Sequence, residues 1–183
     1  MDDAILALAL FEPELAPNFG AMLRLAACFG VPVEVIEPTG FPLDDRRIRR
    51  AGMDYVPLSR WRRHLDFAAF EAWRRAHARR LVLLSTAGER PYHRFAFQPR
   101  DVLLLGRESS GVPEAVRAAA DVALRIPIRL ETRSLNVVTA AAIVLGEAAR
   151  QLGMLDELDR HCRDRCHGRS PKDTGSGMVR GPA

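Results

Sequence analysis

Short, continuously apolar runs alternate along the chain with longer segments in which apolar residues recur at helical spacing. Short apolar runs bounded by Gly or Pro are typical of buried strands, and apolar residues three and four apart predict helices. The predicted strands are Ile5–Leu10, Val33–Ile36, Tyr55–Leu58, Leu81–Leu84, Val102–Leu105 and Val122–Ile128. The predicted helices are Phe19–Phe29, Asp44–Arg50, Asp66–Ala78, Pro113–Ala120 and a last one that runs from Asn136 to Arg150. This alternation predicts an α/β fold with a largely parallel sheet and helices on both faces.

The segment from Ile126 to Arg150 is the most informative part of the chain. It is expected to be a buried strand stopped by Pro127, a polar loop, and a helix so apolar on nearly every face that it should lie inside the protein. Ser134 and Asn136 stand where N-caps belong, and where free backbone N–H groups can hold a polar ligand. The segment is therefore either a well-capped core element or part of a ligand pocket.

Two further polar segments stand at predicted strand ends, where α/β sheets bind ligands. In the first, Asn18 is most simply an N-cap, but Arg24 lies in an otherwise apolar run and should have a partner or a function. In the second, Gly106 would let a ligand approach the backbone, and the carboxylate of Glu108 follows it. Each segment alone fits a plain turn or cap, whereas the three together favour a pocket.

Composition restricts the class of protein further. At 183 residues, 48% hydrophobic and 27% charged, the chain suits one soluble domain, and no apolar run is long enough to span a membrane. The N-terminus does not have the pattern of a secretory signal, and three cysteines fit a reducing cytoplasm. From about Asp156 the composition becomes charged and rich in Gly, Ser and Pro. We therefore expect a folded domain over residues 1–155 and a poorly ordered tail over residues 156–183.

The net charge of +4 and the pI of about 9.5 suggest a polyanionic partner. Lys172 is the only lysine, a bias that genomic composition alone could produce. The basic residues are nevertheless grouped in clusters, and arginine suits phosphate through its forked donors. The three clusters are Arg46, Arg47, Arg49 and Arg50; Arg60, Arg62, Arg63 and His64; and Arg74, Arg75, Arg79 and Arg80.

Familiar catalytic and nucleotide-binding motifs are missing from the sequence. It has no G-x-G-x-x-G after the first strand, no P-loop, no G-x-S-x-G and no H-E-x-x-H. The four His and Cys residues between His161 and His167 could in principle bind zinc, but their spacing is not that of a standard zinc site. We therefore predict no metal site.

The order of the polar segments resembles the three motifs of the SPOUT RNA methyltransferases. These segments are Asn18…Arg24, then Gly106-Arg-Glu-Ser-Ser-Gly111, then Ile126-Pro-Ile with Ser134-Leu-Asn136. Within that superfamily the chain is most similar to the small tRNA wobble-nucleotide 2′-O-methyltransferases. The stretches that carry this closer similarity are FEPELAPNFG (11–20), IEPTGF (36–41) and DDRRIRRAGMDY (44–55). The resemblance covers roughly residues 5–153.

The resemblance implies a SPOUT α/β fold with a C-terminal trefoil knot, a homodimer, and S-adenosylmethionine as the methyl donor. It implies cofactor contacts at Leu84, Gly106, Ile126 and Ser134. It further implies catalytic or substrate-binding roles for Asn18, Arg24, Glu108 and Asn136. Two residues depart from the subgroup's pattern: Gly146 stands where an aromatic residue is frequent, and Val138 where a small polar one is.

The implied reaction is methylation of the ribose 2′-OH of tRNA nucleotide 34, cytidine or uridine, in the anticodon stem-loop. The resemblance implies Arg24 as the base, although a guanidinium is effectively always protonated. Arg24 could instead bind the adjacent phosphate while phosphate or water takes the proton. The arginine clusters would then form the tRNA surface. Two other functions are open at this stage: methylation of another tRNA or rRNA nucleotide, and a non-catalytic RNA-binding module.

Overall fold

The computed structural model describes residues 4–43 and 58–166, and over these residues the chain forms a sheet of seven parallel strands. The strands are β1 Leu6–Phe11, β2 Val33–Ile36, β3 Trp61–His64, β4 Arg80–Leu84, β5 Arg90–Pro91, β6 Asp101–Leu105 and β7 Val122–Arg125. Their order across the sheet is β3-β2-β1-β6-β4-β7-β5. The helices are α1 Ala16–Phe29, α2 Phe67–Ala76, α3 Glu114–Ala119, α4 Val137–Gln151 and α5 Met154–Cys166. The predicted α/β class and parallel sheet are confirmed.

The core lies on both faces of the sheet, because β1 and β6 at its centre are buried along their whole length. Phe19, Met22 and Leu23 of α1 pack on one face together with residues of α4. Phe70 of α2 and Val116 of α3 pack on the opposite face. Two-sided burial explains why these strands are continuously apolar rather than alternating.

The second basic cluster contributes to a strand that the sequence did not predict. The structure forms a strand, β3, from Trp61 to His64, which we did not predict because its residues are mostly charged. This strand lies at the sheet edge, where polar side chains reach solvent. The predicted helix Asp44–Arg50 and most of the predicted strand Tyr55–Leu58 lie outside the described residues.

The start of α1 corrects the predicted cap. The helix begins at Ala16, two residues before Asn18, with Pro17 in its first turn and Leu15 at the N-cap position. Pro is favoured there because its fixed φ suits a helix and its missing N–H has no helical partner to lose. Asn18 therefore lies inside the helix, and the interpretation of it as an N-cap was wrong.

At α4 the cap prediction holds for Asn136 but not for Ser134. The Asn136 side-chain oxygen accepts from the backbone N–H groups of Val138 at 2.9 Å and Thr139 at 3.4 Å. The helix buries one face, which contains Ala141, Val144, Leu145, Ala148 and Ala149, and much of the remainder is half-buried. The expectation that this helix lies inside the protein is therefore met on one face only, since small alanines make a helix apolar without requiring full burial.

The C-terminal part of the described chain is helical. Helix α5 crosses residue 156, where we placed the end of the domain, and continues to Cys166. Up to Cys166 the charged composition belongs to a helix, which is largely exposed over Met154–Arg163. Residues 167–183 of the predicted tail lie outside the described residues.

In the part of the chain that is described, no single helix is long and apolar enough to cross a membrane. Only the bent pair Val137–Gln151 and Met154–Arg163, taken together, has the length and composition of a membrane span.

Candidate active site at the carboxyl ends of the strands

The three polar segments predicted from the sequence meet at one edge of the sheet. Asn18 donates from Nδ2 to Oε1 of Glu108 at 3.0 Å and accepts at Oδ1 from Nδ2 of Asn136 at 3.1 Å. Asn18 belongs to the first turns of α1, Glu108 follows β6, and Asn136 caps α4. Because β1 and β6 are neighbours in the sheet, the loops that follow them lie side by side.

Glu108 is the centre of this arrangement. Its second carboxylate oxygen, Oε2, accepts from the backbone N–H of Glu14 at 2.8 Å. Each of the two oxygens therefore has a donor on the segment that leads into α1 or on α1 itself, and the half-buried side chain is held in one orientation. The Asn18 amide is also fixed in orientation, since it donates to a carboxylate and accepts from an amide.

Arg24 lies six residues beyond Asn18 on α1, which corresponds to about 9 Å along the helix axis and about 120° around it. It is on the exposed side of the helix. The structure therefore brings Asn18, Glu108 and Asn136 together, and it places Arg24 on the adjacent, solvent-facing flank. A guanidinium in that position is accessible to a phosphate that approaches from solvent.

Three of the four predicted cofactor residues stand at the ends of adjacent strands. Leu84 is opposite Leu105 of β6, so Gly106 is the next residue along, and Leu84 is also opposite Leu124 of β7, two residues before Ile126. Neighbouring strands lie about 4.8 Å apart. Leu84 and Ile126 are partly buried on the core, which suits an adenine ring held between apolar side chains and backbone groups. Ser134 lies exposed in the loop that leads to Asn136.

Gly106 makes a close backbone contact within the protein itself. A Cβ at this position would lie 2.5 Å from the backbone carbon of Gly111 and 2.7 Å from its Cα. The approach is made by the loop, in which Arg107 and Gly111 exchange two backbone hydrogen bonds of 2.9 Å. Gly111 has a φ of +70°, which favours glycine. The two glycines allow the tight turn that presents Glu108, and the cofactor contact that the resemblance implies for Gly106 stays a prediction.

The third arginine cluster is largely structural. Arg74 and Arg79 are buried, and Arg74 bonds to Glu71 at 2.5 and 2.9 Å and to Asp121 at 3.1 Å. Arg80 makes two 2.7 Å bonds to the buried Asp101. The expectation that this cluster faces tRNA was wrong for Arg74 and Arg79, because buried guanidinium groups must be paired within the fold.

Members of the second cluster are more exposed and also have protein partners. Arg63 bonds to Glu37 at 2.7 Å and remains half exposed, and the pair raises the pKa of Arg63 above its usual value. Arg60 donates to the carbonyl oxygen of Gly30 at 2.6 Å. His64 is buried against Glu34 at 2.7 Å. Arg60 and Arg63 are therefore the members that present most charge to solvent. The first cluster lies outside the described residues.

Sequence reasoning assigned no role to the acidic residues of the loop after β1. Glu12 contacts Arg107, and Glu14 accepts from the backbone and hydroxyl of Ser109 at 2.8 and 2.7 Å. The sequence feature that could have indicated these contacts is the charge complementarity between the acidic loop after β1 and the loop that contains Arg107. That signal could not be used without knowing that β1 and β6 are neighbours.

The fold and this site define a single α/β unit with a polar site at the carboxyl ends of parallel strands. The model of the SpoU rRNA Methylase family matches residues 5–146. The chain belongs to the SpoU rRNA methylase family.

Individual relatives share most of the chain. It is 57% identical over 148 residues to a tRNA (cytidine(34)-2'-O)-methyltransferase of Beijerinckia indica subsp. indica, with 81% of this chain and 92% of the relative covered. A solved structure concerned with 2-OH methylation of C/U34 on tRNA is 38% identical, with a TM-score of 0.77, and the match covers 82% of this chain and 98% of that one. An AdoMet-bound rRNA methyltransferase from Sinorhizobium meliloti is 28% identical, with a TM-score of 0.74 and coverage of 82% and 57%.

Proposed function

We propose that this protein transfers a methyl group from S-adenosylmethionine to the ribose 2′-OH of cytidine or uridine 34 in the anticodon stem-loop of tRNA. The observation that carries the proposal is the hydrogen-bonded series Glu108–Asn18–Asn136, which joins the loop after β6, helix α1 and the N-cap of α4 at one sheet edge. The end of β6 supplies both Glu108 and Gly106, so this series lies beside the strand ends of Leu84 and Ile126. The relative of 57% identity is named a tRNA (cytidine(34)-2'-O)-methyltransferase, which supports this proposal.

S-adenosylmethionine, when bound, supplies the reactive methyl group, and the protein supplies position and electrostatics. Leu84, Gly106 and Ile126, at the ends of adjacent strands, and Ser134 would hold it. Methyl transfer is an in-line displacement, so its rate depends on how well the 2′-OH is aligned.

The catalytic roles follow from where the side chains lie. Arg24, exposed on α1, would bind the phosphate next to the target ribose and favour the developing negative charge on the 2′ oxygen. Asn18 would contact the ribose while Glu108 and Asn136 hold its amide. The proton would pass to the phosphate or to water, because a guanidinium does not act readily as a base.

The trefoil knot, the homodimer and the cytoplasmic location that the resemblance implies stay predictions of this proposal. A homodimer would cover the half-buried apolar side of α4 that this chain leaves partly exposed. The exposed residues Arg60 and Arg63 would contribute phosphate contacts, so tRNA affinity should fall steeply with salt.

Mass spectrometry of tRNA nucleosides tests the proposal. Purified protein with S-adenosylmethionine should add one 2′-O-methyl group to nucleotide 34 of an unmodified anticodon stem-loop. Arg24→Ala should abolish this methylation while cofactor affinity, measured by calorimetry, and the melting temperature stay within error. A methyl group at another nucleotide would favour the alternative substrate. RNA binding without any cofactor binding would favour a non-catalytic module.

A further inference from the structure

The loop after β1 and the loop after β6 are joined residue by residue. Glu12 bonds to the Arg107 side chain through its carboxylate. The next contact is from the Glu14 backbone N–H to the Glu108 carboxylate at 2.8 Å, and the last is from Ser109 to the Glu14 carboxylate. Three consecutive residues, 107 to 109, are therefore each anchored on the segment 12–14.

The Glu14 anchor is a two-point contact. One carboxylate oxygen accepts the Ser109 backbone N–H at 2.8 Å, and the other accepts the Ser109 hydroxyl at 2.7 Å. Hydrogen bonds to an ionised carboxylate are roughly twice as strong as neutral ones. These two bonds, with a smaller contribution from Arg107, lower the pKa of Glu14 below its usual value. The anchor is therefore ionised at neutral pH.

The backbone of Glu14 is itself fixed from the other side. Gly40, in the loop after β2, donates to the carbonyl oxygen of Pro13 at 2.9 Å. A Cβ at Gly40 would lie 2.6 Å from the carbonyl oxygen of Glu14, so only glycine permits this packing. Glu12 has a φ of +46°, a conformation that a non-glycine residue adopts only where its surroundings enforce it. The segment 12–14 is thus a rigid support.

From these contacts we propose that Glu14 is a positioning residue, supported by Glu12, which holds the loop 107–109 so that the Glu108 carboxylate reaches Asn18. This inference rests on the proposed function, since Glu108 and Asn18 are the groups that would orient the ribose. Without the Glu14 carboxylate the loop can move, and Glu108 can exchange its bond to Asn18 for one to water. A displacement of about 1 Å at a reacting group can cost about 100-fold in rate.

The variants that test this are Glu14→Ala, which removes both Ser109 bonds but keeps the backbone N–H to Glu108, and Ser109→Ala, which removes only the hydroxyl. Asp159→Asn is the matched control, because it weakens an exposed carboxylate–arginine pair, 2.7 Å to Arg163, on α5 away from the site. Two measurements are made on each full-length variant. Amide hydrogen exchange of residues 107–109 reports loop order without any substrate, and steady-state methylation of the anticodon stem-loop gives kcat and KM.

We expect Glu14→Ala to speed exchange at residues 107–109 and to lower kcat about tenfold to a hundredfold, with KM for S-adenosylmethionine within about twofold. The double variant Glu14→Ala with Ser109→Ala should lose no more kcat than Glu14→Ala alone, because the two substitutions break the same Glu14–Ser109 contact. Asp159→Asn should match the wild type in both measurements.

Two results would overturn the inference: unchanged exchange in Glu14→Ala, or faster exchange with an unchanged kcat. Additive losses in the double variant would also count against it, because Glu14 would then not act through Ser109. If the wild-type protein itself methylates no tRNA, the proposed function fails, and the exchange measurement alone decides whether Glu14 holds the loop.

Discussion

Replacing Asn18 with aspartate is the sharpest perturbation of the site, because it changes one atom and reverses one interaction. In the protein, Nδ2 of Asn18 donates to Oε1 of Glu108 at 3.0 Å, while Oδ1 accepts from Asn136. Aspartate keeps the acceptor for Asn136 but places a carboxylate oxygen against the Glu108 carboxylate. The substitution therefore exchanges a charge-assisted hydrogen bond for a repulsion between like charges.

The cost follows from the distance. Two unit charges 3.0 Å apart repel by about 1.4 kcal/mol in bulk water and by about 5.5 kcal/mol at an effective dielectric constant of about 20. The lost hydrogen bond to a charged group adds about 1.5–3 kcal/mol. Even at the lower limits, Asn18→Asp should destabilise the protein by about 3 kcal/mol. For a chain of this size that corresponds to a fall in melting temperature of at least about 6 °C.

The assay is thermal unfolding of three variants followed by the methylation assay. Asn18→Ala removes the hydrogen bonds without adding charge, so the difference between Asn18→Asp and Asn18→Ala isolates the repulsion. In the double variant Asn18→Asp with Glu108→Gln, the glutamine amide can donate to the introduced aspartate, and the glutamine oxygen can still accept from Glu14. This polarity reversal should restore at least half of the lost melting temperature. A variant Asn18→Asp as stable as the wild type, or a double variant no better than the single one, would refute the described geometry.

Three further predictions concern the stability of the fold. Gly106→Ala should destabilise the protein by about 1–3 kcal/mol in urea unfolding, because the new Cβ would lie 2.5 Å from the backbone carbon of Gly111. Gly146→Ala should instead stabilise it by about 0.5–1 kcal/mol, because a Cβ there would meet nothing within 4 Å beyond the adjoining backbone of its own helix. Equal effects would contradict this packing. Hydrogen bonds from Arg150 and Gln151 hold the pKa of Glu147 at about 2, below its usual 4.5. The ionised Glu147 therefore contributes stability above pH 4.5, and this contribution is lost as the pH falls toward 2. Glu147→Gln should flatten the acid side of a plot of melting temperature against pH, and an unchanged plot would count against this pairing. Arg74→Met should cost about 2–4 kcal/mol, because it removes two of the three guanidinium bonds to the buried Glu71 and leaves that carboxylate only Arg75, at 3.1 Å. Cofactor affinity should stay unchanged, and a loss of stability below about 1 kcal/mol would show that the Arg74–Glu71 pair is dispensable.

Much of the fold follows from local pattern. The apolar runs of β1, β2, β4 and β6 predicted buried strands because strands covered on both faces have no polar side to alternate with. The predicted helix Asp66–Ala78 starts at the residue that the structure shows as its N-cap, since the Asp66 side chain accepts from the N–H of Ala69 at 2.7 Å, and the predicted end of the first helix at Phe29 is followed by the C-cap Gly30. Strand β3 was missed because an edge strand with three basic residues carries no apolar run.

The candidate site divides in the same way. Asn136 was identified both as a cap and as a site residue, since capping depends on neighbouring backbone groups. The sequence neighbours of Asn18 predict a cap, and only its partner in space, Glu108, shows that its amide is used elsewhere. Likewise, Gly106 was expected to make room for a ligand, and the backbone that approaches it is that of Gly111.

By itself, the sequence determined the α/β class, most strand and helix positions, and three polar segments at strand ends, because burial periodicity and capping act over a few residues. Only the tertiary structure decided which side chains of those segments meet. The pairing of β1 with β6 joins residues more than ninety positions apart, and it brings Glu12 and Glu14 against Arg107 and Ser109. The tertiary structure also decided that the Arg74 and Arg79 side chains are buried and not available to RNA, since burial depends on what packs over a segment from elsewhere in the chain.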